Sequence, residues 1–524
     1  MKKLRRLNST FQAGVVDVGA HSIRLDIFEV SGGGKIDLLE SLSRTVNLGY
    51  DVFRHGSVSP ENLARLSRVM SDFSRKLDEY KVQAHRVVAT SAIREAFNRE
   101  LVVNRIRSDA HLDLEILEAP EEVKISFIAM RDSLRRQMEF DKLSGICLVI
   151  GTGSLLVSYF AGGLMRFSEE VPLGTVRLFD AFGRSGLSVE RVIETLRSQD
   201  IGQRMMECVG LEAGRPITLI AMGASVRALT GWIAGTASER DEEDCLTLDP
   251  DAIAPTLRRI MNIDPVKLAE ELKLPEEEVA SAGSCAGILT YFLDAFNCRS
   301  FLSPGTTTRS ALIYDLIRRN REPERSPFHD DLIAICDAIG CKYGYDPGHG
   351  RQVSQICSKL FKKLKRSFDF APRSELLLEA AARLHDIGRF VDTRQHHKHS
   401  HYLISNTQLP GISEEELRII ATVSRYHRKS EPKTSHLEYT MLSAEDKVTV
   451  LKLAAILRVA DALDCSRRGR FDKVKLVQRG HVLSAVVPES GDFRAERLYL
   501  EMKGGLFTQV FGLDVKIEEA PLSL

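Results

Sequence analysis

Nowhere in the 524 residues do about 18 apolar residues run together, so no membrane span is expected. The opening stretch, MKKLRRLNSTFQAG, starts basic but lacks the apolar core of a signal peptide. The nine cysteines form no CxxC pair, which argues against a zinc knuckle or a disulfide frame and suits reduced, mostly buried thiols. Net charge is also missing: 72 basic residues balance 72 acidic ones. No global field then draws the chain to nucleic acid or a lipid surface, and a polyanion has to be met by a local patch. These absences predict a soluble, cytoplasmic protein with neither a membrane nor a specific nucleic acid as partner.

What is present is globular. Hydrophobic residues make up 43% and charged residues 27%. The length exceeds what one core can serve, so two to four domains are expected. AGVVDVG and SIRLDIFEV read as strands, with Gly32-Gly33-Gly34 turning into a third. Ser59-Pro60-Glu61 carries the cap, first-position proline and acidic first turn of a helix start. HRVVAT (strand), a helix from about Asn98, LDLEIL (strand) and a helix opening at Pro120-Glu121-Glu122 follow. The grammar then repeats. VVDVGAHSIRLDIF and CLVIGTGSLLVSYF align at a constant offset, Gly19 on Gly151 and Ser22 on Ser154, which suggests two similar lobes facing across a cleft.

RRNREPERSPFHDD, from Arg318, reads as a linker. Helical patterns run from there to about Arg468, and the last fifty residues alternate (KVKLVQ, HVLSAVV, ERLYLEM, FTQVFGLDVKI), suggesting a small closing sheet.

The two turns, Asp17 to Ser22 and Ile150 to Ser154, are candidate phosphate cradles, because glycine lets backbone amides approach an anion. Gly19, Ser22, Gly151, Gly153 and Ser154 would line them. Arg94, just past a strand, is either a bidentate phosphate ligand or a surface arginine. Gly174 and Gly223 each precede a helix whose N-terminus could receive an anion. Glu121 and Glu122 read, on pattern alone, as helix-start carboxylates favoured by the dipole.

The stretches DVGAHSIRL, ATSAIREAFN, EILEAPEEVKISF, GTGS, PLGTVRL, MGASVRAL, HHKHSHYLISN and RYHRK, in this order, resemble the exopolyphosphatase/guanosine pentaphosphatase (Ppx/GppA) family. The resemblance implies two actin-like (ribonuclease H-like) α/β lobes around a cleft, at 1–135 and 136–318. It further implies hydrolysis of the terminal phosphoanhydride of polyphosphate or pppGpp with Mg²⁺, Glu122 as general base, and a homodimer. The family's first turn reads D-x-G-S-N-S, where this chain has Ala20 and His21. Its second reads D-x-G-G-G-S-x-E, where this chain has Val149, Thr152 and Leu156 in place of aspartate, a glycine and glutamate. Valine cannot ligate Mg²⁺, which leaves Asp17 as the metal-side carboxylate.

In the helical half, His349, the His385-Asp386 pair and Asp461 fall on separate predicted helices. That set resembles HD-type metallophosphohydrolases and implies an all-α HD-type domain at 327–468, followed by the small β-rich domain at 469–524. The donor types suit Mn²⁺, Fe²⁺, Co²⁺ or Zn²⁺, with helix caps as the plainer alternative. His396, His397, His399 and His401 crowd one predicted loop. With Arg425, His427, Arg428 and Lys429 they are expected to form a basic surface for a long polyanion, a second metal being the lesser reading. Alternative readings are an HD-type metallophosphohydrolase, and a non-catalytic polyphosphate- or nucleotide-binding regulator with a degenerate cleft.

Overall fold

The computed structural model describes residues 10–32, 35–182, 189–210, 216–235, 244–263, 265–272, 276–321, 327–488 and 491–519. Gly33, Gly34, the basic start of the chain and residues 322–326 of the predicted linker lie outside the described residues, while the linker's two ends belong to helices Thr308–Arg321 and His329–Lys342. The chain divides into two compact units, Met1–Phe328 and His329–Leu524.

In the first unit, β1 (Phe11–Val18), β2 (Ser22–Val30), β3 (Ile36–Thr45), β4 (Ala84–Ala89) and β5 (Leu114–Ile116) form one sheet in the order β3-β2-β1-β4-β5. The runs are rich in Val and Ile, and β1 is buried along most of its length, as expected for a strand covered on both faces. A second sheet contains β6 (Ser144–Ile150), β7 (Leu155–Ala161), β8 (Leu164–Val171), β9 (Ile217–Met222), β10 (Cys245–Leu248) and β11 (Cys298–Pro304). Its order, β10-β11-β9-β6-β7-β8, repeats the first sheet with one added edge strand. In both, an antiparallel three-strand meander is joined by a parallel strand on its other side. The duplication seen in the turns thus extends to the topology.

One helix crosses the expected boundary between the lobes. Thr308–Arg321 follows the second sheet in sequence but packs on β1 and on helix Ala119–Arg135. Leu312, Ile313, Leu316 and Ile317 enter the first lobe's core with Phe11, Val15 and Val30. Each such side chain contributes about 1.5–3 kcal/mol on burial, which ties the end of lobe II to lobe I.

The second unit is mainly helical, with helices His329–Lys342, Pro347–Leu364, Ser374–Leu384, His396–Ser405, Glu414–Arg425 and Ala444–Leu463. Two expectations change here. The histidine-rich stretch is a helix, not a loop. ERLYLEM, expected as a strand, lies in helix Arg494–Lys503, and FTQVF in helix Gly505–Phe511. Glu496, Leu500 and Lys503 are buried at helical spacing, and this inward face packs on Ala444–Leu463. The closing sheet keeps only β12 (Lys475–Arg479), β13 (Val482–Val487) and β14 (Asp514–Glu519). Among the described residues no helix is long and apolar enough to cross a membrane.

Candidate active site

The two predicted turns share one construction. Gly19 N–H donates to Ser22 O at 3.1 Å and Gly151 N–H to Ser154 O at 3.0 Å. The carbonyls of each turn are braced by the segment that follows the meander. Ala20 O and His21 O accept from Gly49 (2.7 Å) and Val46 (3.0 Å), while Gly151 O and Thr152 O accept from Thr175 (3.0 Å) and Val176 (2.9 Å). The first helical amides after Gly174 are therefore spent on the second turn, and the anion role expected for that helix start does not hold for them. Gly174 itself has no room for a side chain, since a Cβ would lie 2.4 Å from Gly153. Gly223, at φ 133°, sits where a Cβ would meet Ile150 O at 2.3 Å, so the end of β9 closes directly on the second turn.

The second turn also meets lobe I, because a Cβ on Gly153 would fall 2.3 Å from Ser91 Oγ and 2.6 Å from the Phe53 ring. Arg177 spans this junction, stacking on Phe53 at 3.9 Å and pairing with Glu95 at 2.7 Å.

Around this junction lie the predicted catalytic side chains. Asp17 ends β1, and burial raises its pKa, with Arg309 and Arg24 pulling the other way. Glu122, in the first turn of Ala119–Arg135, is 9% exposed. Burial pushes its pKa up to about 7; Arg94 opposes this, while Glu170 and Asp17 reinforce it. Its neighbour Glu121 points elsewhere, paired at 2.7 Å with both Lys124 and Arg319. The helix thus divides the two glutamates between a structural and a candidate catalytic task.

Arg94 is neither a free phosphate ligand nor a surface arginine. Its guanidinium donates to Leu117 O at 2.6 Å, to Glu122 at 3.3 Å and to Glu170. Glu170, on β8, was not singled out from sequence. Its only signal is a pair of glutamates in a strand, of which Glu169 turns to Arg204 and Glu170 to Arg94. Glu170 is the cross-strand partner of Leu156, which in turn faces Val149.

In the second unit His349, His385, Asp386 and Asp461 converge, all buried, and two residues expected elsewhere join them: His396 and His427. His427 is 1% exposed and Arg425 is buried against Glu438 at 3.2 Å, so neither belongs to a basic surface. Arg425 ends helix Glu414–Arg425, whose C-terminal half is buried, and His427 follows just after it. His397 is buried as well, whereas His399 and Arg428 are partly exposed.

Comparison with known proteins agrees with this architecture. The model of the Ppx/GppA phosphatase family matches residues 27–320, and that of Ppx/GppA phosphatase domain III matches 336–485. Among similar proteins, a guanosine-5'-triphosphate,3'-diphosphate pyrophosphatase of Photobacterium profundum is 23% identical over 468 residues, 86% of each chain. One from Vibrio parahaemolyticus is 23% identical over 483 residues, 90% of each chain. Among solved structures, the Aquifex aeolicus Ppx/GppA family member aligns with a TM-score of 0.51 at 19% identity, over 60% of this chain and 99% of that one. An exopolyphosphatase from Cytophaga hutchinsonii aligns with a TM-score of 0.52 at 16% identity, over 58% of this chain and 97% of that one. With more than half of its length matched by the family model, the chain belongs to the Ppx/GppA phosphatase family.

Proposed function

We propose that the protein is a phosphohydrolase that releases terminal orthophosphate from inorganic polyphosphate or pppGpp at the junction of the two lobes. The observation that carries this reading is the placement of Glu122: a buried carboxylate held by Arg94, within the field of Asp17 and Glu170. A carboxylate poised near neutrality can take a proton from an attacking water and still be ionised at the start of the cycle. Arg94 fixes the Glu122 carboxylate, leaving the glycine turns to receive the phosphates. The names of the relatives, pppGpp pyrophosphatases and an exopolyphosphatase, agree with this substrate class.

Mg²⁺ fits the site only in part. Asp17 is a buried carboxylate whose raised pKa leaves room for a further cation, whereas Val149 and Leu156 give no oxygen donor on the opposite turn. Asp17 would hold the ion, which would neutralise charge on the phosphates as the water attacks.

The finer reading of residues 327–468 as an HD-type domain is supported by the chain order of His349, His385-Asp386 and Asp461 on separate helices.

The test is phosphate release from polyphosphate and from pppGpp by wild type, Glu122→Gln and Asp386→Asn. Loss confined to Glu122→Gln supports the cleft reading. Loss confined to Asp386→Asn overturns it.

A further inference from the structure

Four histidines of the second unit have their Nδ1 atoms within hydrogen-bond distance of an acceptor, His396 having Arg428 Nη1 at 3.3 Å as a more distant second neighbour. Nδ1 of His385, His396 and His427 faces the carbonyl oxygens of Ala382 (2.8 Å), Thr393 (2.9 Å) and Ser424 (2.6 Å). Nδ1 of His349 faces Asp464 Oδ2 at 2.8 Å. An imidazole so held carries its proton on Nδ1 and presents a bare Nε2 lone pair, the orientation that outer partners impose on metal-binding histidines. All four Nε2 atoms turn to one buried space. Nε2 of His385 has no hydrogen-bond partner there, and those of His396 and His427 face each other at 3.0 Å. Two lone pairs at that distance repel unless something positive lies between them.

The aspartates are held in a complementary way. Asp461 directs Oδ1 at Nε2 of His349 (3.4 Å) and of His385 (3.8 Å), while its Oδ2 is bound by Lys503. Asp386 directs Oδ1 at Nε2 of His385 (3.8 Å), His396 (3.2 Å) and His427 (3.9 Å), while its Oδ2 is held by Arg467 at 2.5 Å. Donors about 2.1 Å from a common cation lie roughly 3 to 4.2 Å apart. Every separation just given meets that condition, but six donors this spread do not share one ion. They fall into three overlapping sets, His349 with His385 and Asp386, His385 with His427 and Asp461, and Asp386 with His396 and His427, and the first and last of these share Asp386.

We infer that the second unit holds two divalent cations that share Asp386, and that this centre hydrolyses a phosphate ester independently of the cleft. The donor chemistry, imidazole with carboxylate, suits Mn²⁺, Fe²⁺ or Zn²⁺ and not Mg²⁺. Arg389, 3.5 Å from Asp386, Arg467, and Arg428, 3.3 Å from His396, supply positive charge for a phosphate next to the cations. The ions would lower the pKa of a bound water, whose oxygen would form the new bond to phosphorus while its proton passes to the departing ester oxygen. The bond from phosphorus to the ester oxygen breaks, and that oxygen leaves with a proton.

The full chain, stripped with chelator and dialysed against Mn²⁺, tests this by metal content and electron paramagnetic resonance. Wild type is expected to hold two equivalents more than Asp386→Asn, whatever the cleft retains, and to show a spin-coupled pair. His427→Ala and His396→Ala should each lose one equivalent and the coupling, whereas His399→Ala keeps both. Wild type alone gives a second readout, a melting temperature that rises on Mn²⁺ addition. Hydrolysis of p-nitrophenyl phosphate or its bis ester should need Mn²⁺, survive Glu122→Gln and vanish in Asp386→Asn; which ester is cleaved separates a monoesterase from a diesterase. Equal Mn²⁺ in wild type and Asp386→Asn overturns the centre, leaving a proton-shared histidine network with Lys503 as its cation. A full complement in His427→Ala overturns the second ion. Neither result touches the cleft reading, which rests on Glu122.

Discussion

Asp17, Arg24 and Ser43 form a row across β1, β2 and β3, and Val149, Leu156 and Glu170 form the equivalent row across β6, β7 and β8. Each row has one carboxylate, at opposite ends: on the first strand in lobe I and on the third in lobe II. Strands lie about 4.8 Å apart, so the acidic group has moved roughly 10 Å sideways while the turn and its bracing are kept. A turn can therefore lose its carboxylates without the site around it losing charge. In this chain Glu170 reaches the junction from β8 and meets Arg94 beside Glu122.

If Glu122 is the one base shared by the two rows, Glu122→Gln has the largest effect. Phosphate release from polyphosphate should fall by about 10²–10⁴ with the fold intact. A variant that keeps wild-type turnover would mean that Glu122 takes no proton in the reaction. The same substitution has a stability signature. The folded-state pKa of about 7 is above the ordinary 4.5, so Glu122 favours folding fully only below about pH 4.5, and this contribution is lost as pH rises through 7. Glu122→Gln should therefore be the more stable protein above pH 7, by up to about 3 kcal/mol, with no advantage near pH 4. Denaturant unfolding at the two pH values measures it.

Glu170→Gln comes next. It leaves Arg94 with Leu117 O and Glu122, and we expect about a tenfold loss in kcat. It also removes a negative neighbour that raises the pKa of Glu122, so the acidic limb of the pH–rate profile should move to lower pH. A drop in kcat with an unmoved limb would mean that Glu170 serves packing alone.

Much of this was legible in the chain and part was not, for physical reasons. The strand–turn–strand units could be read because alternation and glycine act locally, and the Ser59 cap because its side chain bonds Asn62 N–H three residues on. Helix Thr308–Arg321 runs into the stretch read as a linker from Arg318, and its place on lobe I depends on contacts almost 300 residues away. Arg494–Lys503 was misread because Leu498 and Leu500 alternate as in a strand, while the buried positions that decide it include a glutamate and a lysine. His396 and His427 stood out as histidines, but charge and spacing do not tell an outward face from an inward one; burial does. Glu170 has no motif, and only its cross-strand register brings it to the site.

Val149→Asp tests the comparison from the other side, and its expected effect is the smallest. The substitution puts a carboxylate back on β6 beside Leu156, two strands from Glu170 and on a partly exposed position. If Glu170 already supplies the acidic group of lobe II, the added aspartate gives Mg²⁺ only an extra ligand screened by solvent. Such a contact is worth no more than about 1 kcal/mol, so the half-saturating Mg²⁺ should fall at most roughly fivefold with kcat little changed. A rise in kcat of tenfold or more would show instead that the second turn is limiting, and that the carboxylate on β8 does not stand in for the one absent from β6. Combining it with Glu170→Gln sharpens the point: the gain from Asp at 149 should grow once Glu170 is neutral, because the two carboxylates then no longer share one positive field.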